Sequence, residues 1–193
     1  MKYVRRFLWF FASKLVIFSL IVSVLVLAFY MAMNASNIYI LLSDGMKART
    51  NVILTRENPE YLNNFFRADF LESDEALLIG LSAQSPYINY NITDFEDSMT
   101  MEWIWSWPWE DTAQATIVYR VPVIRGSVVS GKSALVSNGT LSSSPPAWQG
   151  GRYQMTLYRV NGQWKIAGMR QTQIILDPTP TPAPTLTPTQ PAA

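Results

Sequence analysis

The stretch from Leu15 to Met33 constrains the fold of this chain most. It reads LVIFSLIVSVLVLAFYMAM and contains no charged residue. At a rise of ~1.5 Å per residue it forms a helix of about 28 Å, close to the ~30 Å hydrocarbon core of a bilayer. A single segment can satisfy its backbone polar groups in lipid only as a helix. We therefore predict one transmembrane helix over residues 15–33, or from about residue 7, and a lipid bilayer as the first partner.

Charged residues on the two flanks of this stretch predict its orientation. The basic residues of the N-terminal flank are Lys2, Arg5, Arg6 and Lys14. Their excess places a leader, residues 1–14, in the cytoplasm and residues 34–176 outside it. A cleaved signal peptide is the alternative, but the candidate cleavage sites carry Met33 or Tyr30 at the −3 position, where small residues are needed. The sequence therefore predicts an uncleaved, single-pass anchor in the cell membrane.

Composition restricts the chemistry that the domain after the anchor can perform. The formal net charge is +1, and no basic cluster follows the leader, so we expect no nucleic-acid partner. The chain has no Cys and no His. This excludes disulfides, thiolate nucleophiles, zinc–thiolate sites and Ser-His-Asp catalysis. We expect no metal, no cofactor and no enzymatic activity, since catalysis would have to rely on Asp, Glu, Tyr, Lys or Arg.

Helical patterns follow the anchor. Asn34 or Ser36 can cap a second helix, Asn58-Pro59 begins a further one, and a short helix is expected to end at Leu81.

After Pro86 the apolar period changes to two, which is typical of strands. The predicted strands are Tyr87–Phe95, Met99–Trp107, Thr112–Ile124, Tyr153–Val160 and Gln163–Leu176. Asn161-Gly162 favours a two-residue hairpin turn between the last two. The segment Ser127–Gly150 reads as a long loop that holds a short edge strand at Ala134–Val136. The expected fold class is α+β, with helices packed on a curved antiparallel sheet.

The last residues, 177–193, read DPTPTPAPTLTPTQPAA. Repeated proline removes backbone donors and favours polyproline II, so we predict a disordered, solvated tail. A spacer into the cell wall and a site for O-linked sugar are the alternatives.

Two segments resemble a known family. The closing run Tyr158–Gly168, YRVNGQWKIAG, and the run Asn64–Leu71, NFFRADFL, are similar to motifs of the nuclear-transport-factor-2-like, or SnoaL-like, family. The resemblance implies a cone-like α+β domain over about residues 36–176. An anchor followed by such a domain also resembles TcpC-like conjugation proteins and the inner-membrane scaffold subunits of type IV secretion. That resemblance implies protein contacts or self-association without catalysis.

Residues 99–109, MTMEWIWSWPW, are the most unusual stretch. Residues two apart share a face of a strand, so the tryptophans should line up with Met99 and Met101. Indoles on this face either fill the core against the helices or form a platform for a glycan or peptide, or a belt on the membrane surface. Tyr119 lies on the apolar face of the following strand. The ligand-binding candidates are Trp103, Trp105, Trp107, Trp109 and Tyr119.

Three functions follow as hypotheses. The first is a membrane-anchored interaction or assembly module that binds a protein partner or itself. The second is binding of a small ligand or cell-wall glycan through the tryptophans. The third is a cone-fold enzyme that uses Asp and Tyr, which needs a carboxylate inside the cone. The acids considered for that role are Asp44, Asp94, Glu96, Asp97 and Glu102.

Overall fold

The computed structural model describes the backbone of residues 2–175, and side chains at residue 10 and from residue 14 onward. The predicted tail, residues 177–193, lies outside the described residues. The helices are α1 (Lys2–Thr55), a 3-10 helix (Pro59–Asn64), α2 (Ala68–Ser73), α3 (Glu75–Leu81) and α4 (Ser133–Ser137). The strands are β1 (Tyr90–Ser106), β2 (Thr112–Val128), β3 (Gly150–Val160) and β4 (Gln163–Ile175).

Helix α1 runs without a break for 54 residues. The prediction that a second helix begins at Asn34 or Ser36 is wrong, because no proline occurs before Pro59 and Asn34 makes a tertiary contact instead of a cap. The first part of α1 is long and apolar enough to cross a membrane, and its most apolar window is not buried against the described part of the chain. The second part buries Ile38, Leu42 and Met46 against the sheet. One helix therefore serves both as candidate membrane span and as core element.

The predicted helix start at Asn58-Pro59 is confirmed. Asn58 caps the 3-10 helix through its side-chain oxygen, which accepts from the backbone N–H of Glu60 at 3.0 Å, and Pro59 occupies the first position. Asp74 caps α3 and accepts from the N–H of Leu77 at 3.3 Å. Both caps fix short helices beside α1.

The four strands form one antiparallel sheet in the order β1-β2-β3-β4. The two strands predicted before residue 107 are one strand, since β1 pairs with β2 along its length and absorbs three register irregularities. The predicted edge strand Ala134–Val136 is wrong, because these residues lie in α4. The hairpin turn is confirmed, with φ of 51° at Asn161 and 81° at Gly162. The α+β class is confirmed at this level.

The core lies between α1 and one face of the sheet. On β2 this face follows the predicted period of two. Its buried residues are Ala113, Ala115, Ile117, Tyr119 and Val121. The side chains on the opposite face of β2 are exposed or half-buried and do not belong to the core.

Candidate functional site

The four tryptophans Trp103, Trp105, Trp107 and Trp109, here called the tryptophan strip, lie at the end of β1 and in the turn after it. A bulge at Glu102 decides their orientation. Met101 stands opposite the buried Ile117, whereas Trp103 stands opposite Thr116 on the outer face. The extra residue shifts the alternation by one position. The prediction that Met99 and Met101 share a face with Trp103 and Trp105 is therefore wrong.

The strip faces out of the domain. Trp103, Trp105 and Trp109 are 48%, 45% and 69% exposed, so the interpretation that the indoles fill the core is wrong for them. The half-buried Trp107 joins its neighbours. Its ring meets that of Trp105 edge-on at 5.3 Å between centroids and stacks on that of Trp109 at 5.0 Å. Three indoles thus form one continuous aromatic surface that ends at the β1–β2 turn.

Tyr119 lies on the opposite side of the sheet from the strip. Its side chain is 0% exposed, and its hydroxyl donates to Thr50 Oγ1 of α1 at 3.0 Å. Burial raises the pKa of this phenol, Asp97 nearby raises it further, and the Thr50 contact lowers it. The structure therefore places Tyr119 in the core and not on the surface that the tryptophans form.

A buried ion pair that sequence reasoning missed joins α1 to α3. Arg49 Nε donates to Asp74 Oδ2 at 2.6 Å, and Nη2 donates to Oδ1 at 2.8 Å. Both side chains are buried. The sequence signal is slight, because Arg49 is one charge on a long helix and Asp74 is one of several acids in the α2–α3 segment.

The pair lines a cavity of about 580 Å³ between α1, the α2–α3 segment and β3–β4. Its wall also includes Tyr87, Trp148, Tyr153 and Met169. Burial raises the pKa of Tyr87 to about 12 and also raises the pKa of Tyr153. Trp148 Nε1 is buried and finds no hydrogen-bond partner among the residues that the structure describes. The volume is within the ~300–1,000 Å³ typical of small-molecule sites.

The named acids mostly lie at the surface, in ion pairs. Asp94 and Glu96 both pair with Arg125, and Glu102 accepts from Arg152 Nη2 at 2.8 Å. Asp97 is half-buried, 3.9 Å from Lys47 Nζ. Asp44 lines a shallow depression beside Lys47.

Within residues 2–175 no three or more acidic side chains come together in a way that could hold a metal ion.

No protein-family profile, no curated protein and no solved structure matches this chain.

Proposed function

We propose that this chain is a single-pass, membrane-anchored, non-enzymatic interaction module whose α+β domain lies outside the cytoplasm. The observation that supports this most is the continuity of α1. The same helix is exposed and apolar over residues 15–33 and forms the domain core from Ile38 onward. A helix without a break transmits orientation, so the domain is held at a fixed height above the bilayer.

A domain of this build presents its cavity away from the membrane. Arg49 lies 15 positions after Asn34 on α1, which is about 22 Å along the helix at ~1.5 Å per residue. Next to the cavity, α3 exposes Leu78 and Ile79. Exposed apolar side chains beside a concavity are typical of surfaces that bind proteins. We infer that a protein partner, or a second copy, binds at this cavity rim.

In this proposal the buried carboxylate and the buried phenol have structural roles. The buried carboxylate of Asp74 is neutralised by Arg49 in a two-bond contact, and the buried phenol of Tyr119 is engaged by Thr50. Catalytic acids and bases need a free proton-transfer position that faces substrate.

The cone-like shape belongs to the same proposal. Bulges increase strand twist, and β1 contains three register irregularities while β4 has two along its pairing with β3. Such strands favour a sheet that curves around α1, as in the nuclear-transport-factor-2-like family.

Site-specific crosslinking tests the interaction module. Because the chain has no Cys, a benzophenone–maleimide can be attached at Ile79→Cys on the cavity rim. Ser137→Cys in α4 is the matched exposed control. The proposal predicts one discrete crosslinked species in native membranes from the Ile79 position and none from the control. Absence of any adduct from rim positions, together with a monomer in detergent, would contradict it.

Glycan binding by the tryptophan strip is the second candidate function. The exposure of Trp103, Trp105 and Trp109 favours it, because flat indole faces stack on sugar rings. Gln114 and Thr116, directly opposite on β2, could add hydrogen bonds. Titration with N-acetylglucosamine oligomers should then shift tryptophan emission in the wild type and not in a Trp103→Ser/Trp105→Ser variant. An unchanged wild-type spectrum would end this candidate.

A further inference from the structure

The β1–β2 turn lies beside the point where α1 leaves its apolar stretch. Asn34 is the first residue after that stretch, and its buried side-chain oxygen accepts from Arg159 Nη2 at 3.5 Å. The backbone N–H of Arg159 donates to the carbonyl of Asp111 at 2.8 Å. Asp111 closes the turn that contains Trp107 and Trp109. Two contacts therefore connect the exit of the candidate membrane span to the tip of the tryptophan strip.

Two contacts place the first half of β2 beside α1, with its first residue toward the end of the apolar stretch. Near the middle of β2 Tyr119 contacts Thr50, and just before its first residue Asp111 is linked through Arg159 to Asn34. The helical path from Asn34 to Thr50 is about 24 Å at ~1.5 Å per residue. The extended path from Asp111 to Tyr119 is about 26 Å at ~3.3 Å per residue. The two lengths match, so the turn before β2 points back toward the bilayer.

The tip has the chemistry of a membrane–water interface. Indoles concentrate at the headgroup level, where the ring is in an apolar environment and the N–H is hydrated. The tip sequence Trp107-Pro108-Trp109-Glu110-Asp111 carries two acids and no base. Attraction to anionic lipid therefore cannot hold it there, and burial of apolar indole surface must.

We infer that the tryptophan strip docks on the surface of the same bilayer that α1 crosses. This inference rests on the proposed membrane anchor and adds a second contact to it. The stacked Trp107 and Trp109 enter the headgroup layer, Trp105 lies at its edge, and Trp103 stays in water. A domain fixed at α1 and at the tip can neither rotate freely about α1 nor tilt away from the membrane, so the cavity rim keeps one orientation.

Fluorescent probes at single cysteines test the docking in full-length protein reconstituted in phosphatidylcholine vesicles. The probe is the fluorophore NBD at Glu110→Cys, which leaves all four tryptophans in place. Its quenching by headgroup spin-labelled lipid is compared with its quenching by aqueous iodide. Val22→Cys, within the apolar stretch, reports the anchor through quenching by acyl-chain spin-labelled lipid, and Ser137→Cys, on α4, reports water.

Docking predicts that lipid quenches the Glu110→Cys probe while iodide quenches it little. In the Trp105→Ser/Trp109→Ser variant, iodide should quench the probe strongly and lipid should quench it little. Leu78→Ser replaces an exposed apolar residue on α3 and should leave the quenching unchanged. A probe quenched by iodide alone, with the Val22→Cys probe still quenched by lipid, overturns docking and leaves the anchor intact. If that iodide-accessible tip responds to N-acetylglucosamine oligomers, it is a glycan site instead. A Val22→Cys probe in water overturns the anchor and docking together.

Discussion

The guanidinium of Arg49 on α1 and the carboxylate of Asp74 at the start of α3 form a buried, two-bond ion pair, with N–O distances of 2.6 and 2.8 Å. The contact spans 25 residues of sequence and fastens the α2–α3 segment to the long helix. The same pair lines the cavity. The contact that holds α3 on α1 therefore also forms part of the cavity wall.

Asp74→Ala should strongly destabilise the domain. The substitution leaves a buried guanidinium without its anion, which typically costs about 3–5 kcal/mol. It also removes the cap of α3, worth ~1 kcal/mol. Chemical denaturation of the full chain in detergent, followed by near-ultraviolet circular dichroism, measures the loss. Asp69→Ala is the control, since Asp69 and Arg67 form a surface pair worth about 0–1 kcal/mol. Equal losses in the two variants would show that the buried pair has no special role.

Gly80 sets the distance between α3 and α1. A Cβ built at this position would lie 2.8 Å from Cγ2 of Ile53. Gly80→Ala should therefore lower the free energy of unfolding by about 1–3 kcal/mol through overpacking, despite the better helix propensity of Ala.

The double variant Gly80→Ala/Ile53→Ala tests this contact directly, because Ile53→Ala removes Cγ2, the atom that the new Cβ would clash with. Ile53→Val would not serve, since valine keeps that atom. The double variant should lose less stability than the sum of the two single losses, as measured by a double-mutant cycle. Strict additivity would argue against direct contact.

Alkaline pH should unfold the domain through its buried phenols. Burial raises the pKa of Tyr87 from 10.0 to about 12 and raises the pKa of Tyr119 as well. A raised folded-state pKa means that the stabilisation is complete below pH 10 and is lost as the pH rises toward 12. Tyr119→Phe should reduce the slope of stability against pH in this window. It should also cost ~1 kcal/mol at neutral pH through the lost hydrogen bond to Thr50.

Absorbance of tyrosinate and circular dichroism, recorded over the same pH series, measure both effects. Tyr39→Phe, at an exposed position on α1, serves as the matched control and should leave the slope unchanged. Ionisation of all tyrosines near pH 10 without unfolding would contradict the burial of these two phenols.

Trp148→Phe should be nearly neutral for stability. The buried Nε1 has no partner among the residues described, so the substitution removes an unsatisfied donor and keeps an aromatic ring in the cavity wall. Trp164→Phe provides a contrast, because its ring stacks under the guanidinium of Arg159 at 4.5 Å. Thermal unfolding of both variants measures the difference. A large loss for Trp148→Phe would reveal a polar partner at Nε1.

Much of the fold could be predicted from local patterns. The apolar run predicts the exposed half of α1, the alternation on β2 predicts its buried face, and Asn161-Gly162 predicts the final turn. Each of these features depends on residues close in sequence, so periodicity and turn chemistry are sufficient.

The sequence-based predictions failed where contacts between residues distant in sequence determine the structure. Asn34 resembles a helix cap, but α1 continues through it, and its side chain accepts from Arg159, which is 125 residues away. The bulge at Glu102 has no signature in the sequence, yet it moves Trp103 and Trp105 to the outer face, away from the face of Met101 on which they were predicted to lie. Arg49 and Asp74 lie on separate helices, and only the tertiary packing brings them together.

The central claim is that one helix both crosses the membrane and carries the domain outside the cytoplasm. Labelling of intact cells with a membrane-impermeant maleimide tests it most directly, because the chain without Cys gives no background. The account predicts that Ser137→Cys is labelled in intact cells, whereas Lys2→Cys is labelled only after permeabilisation. Labelling of Lys2→Cys but not Ser137→Cys in intact cells would contradict the orientation. Release of the protein by alkaline carbonate would contradict the anchor itself.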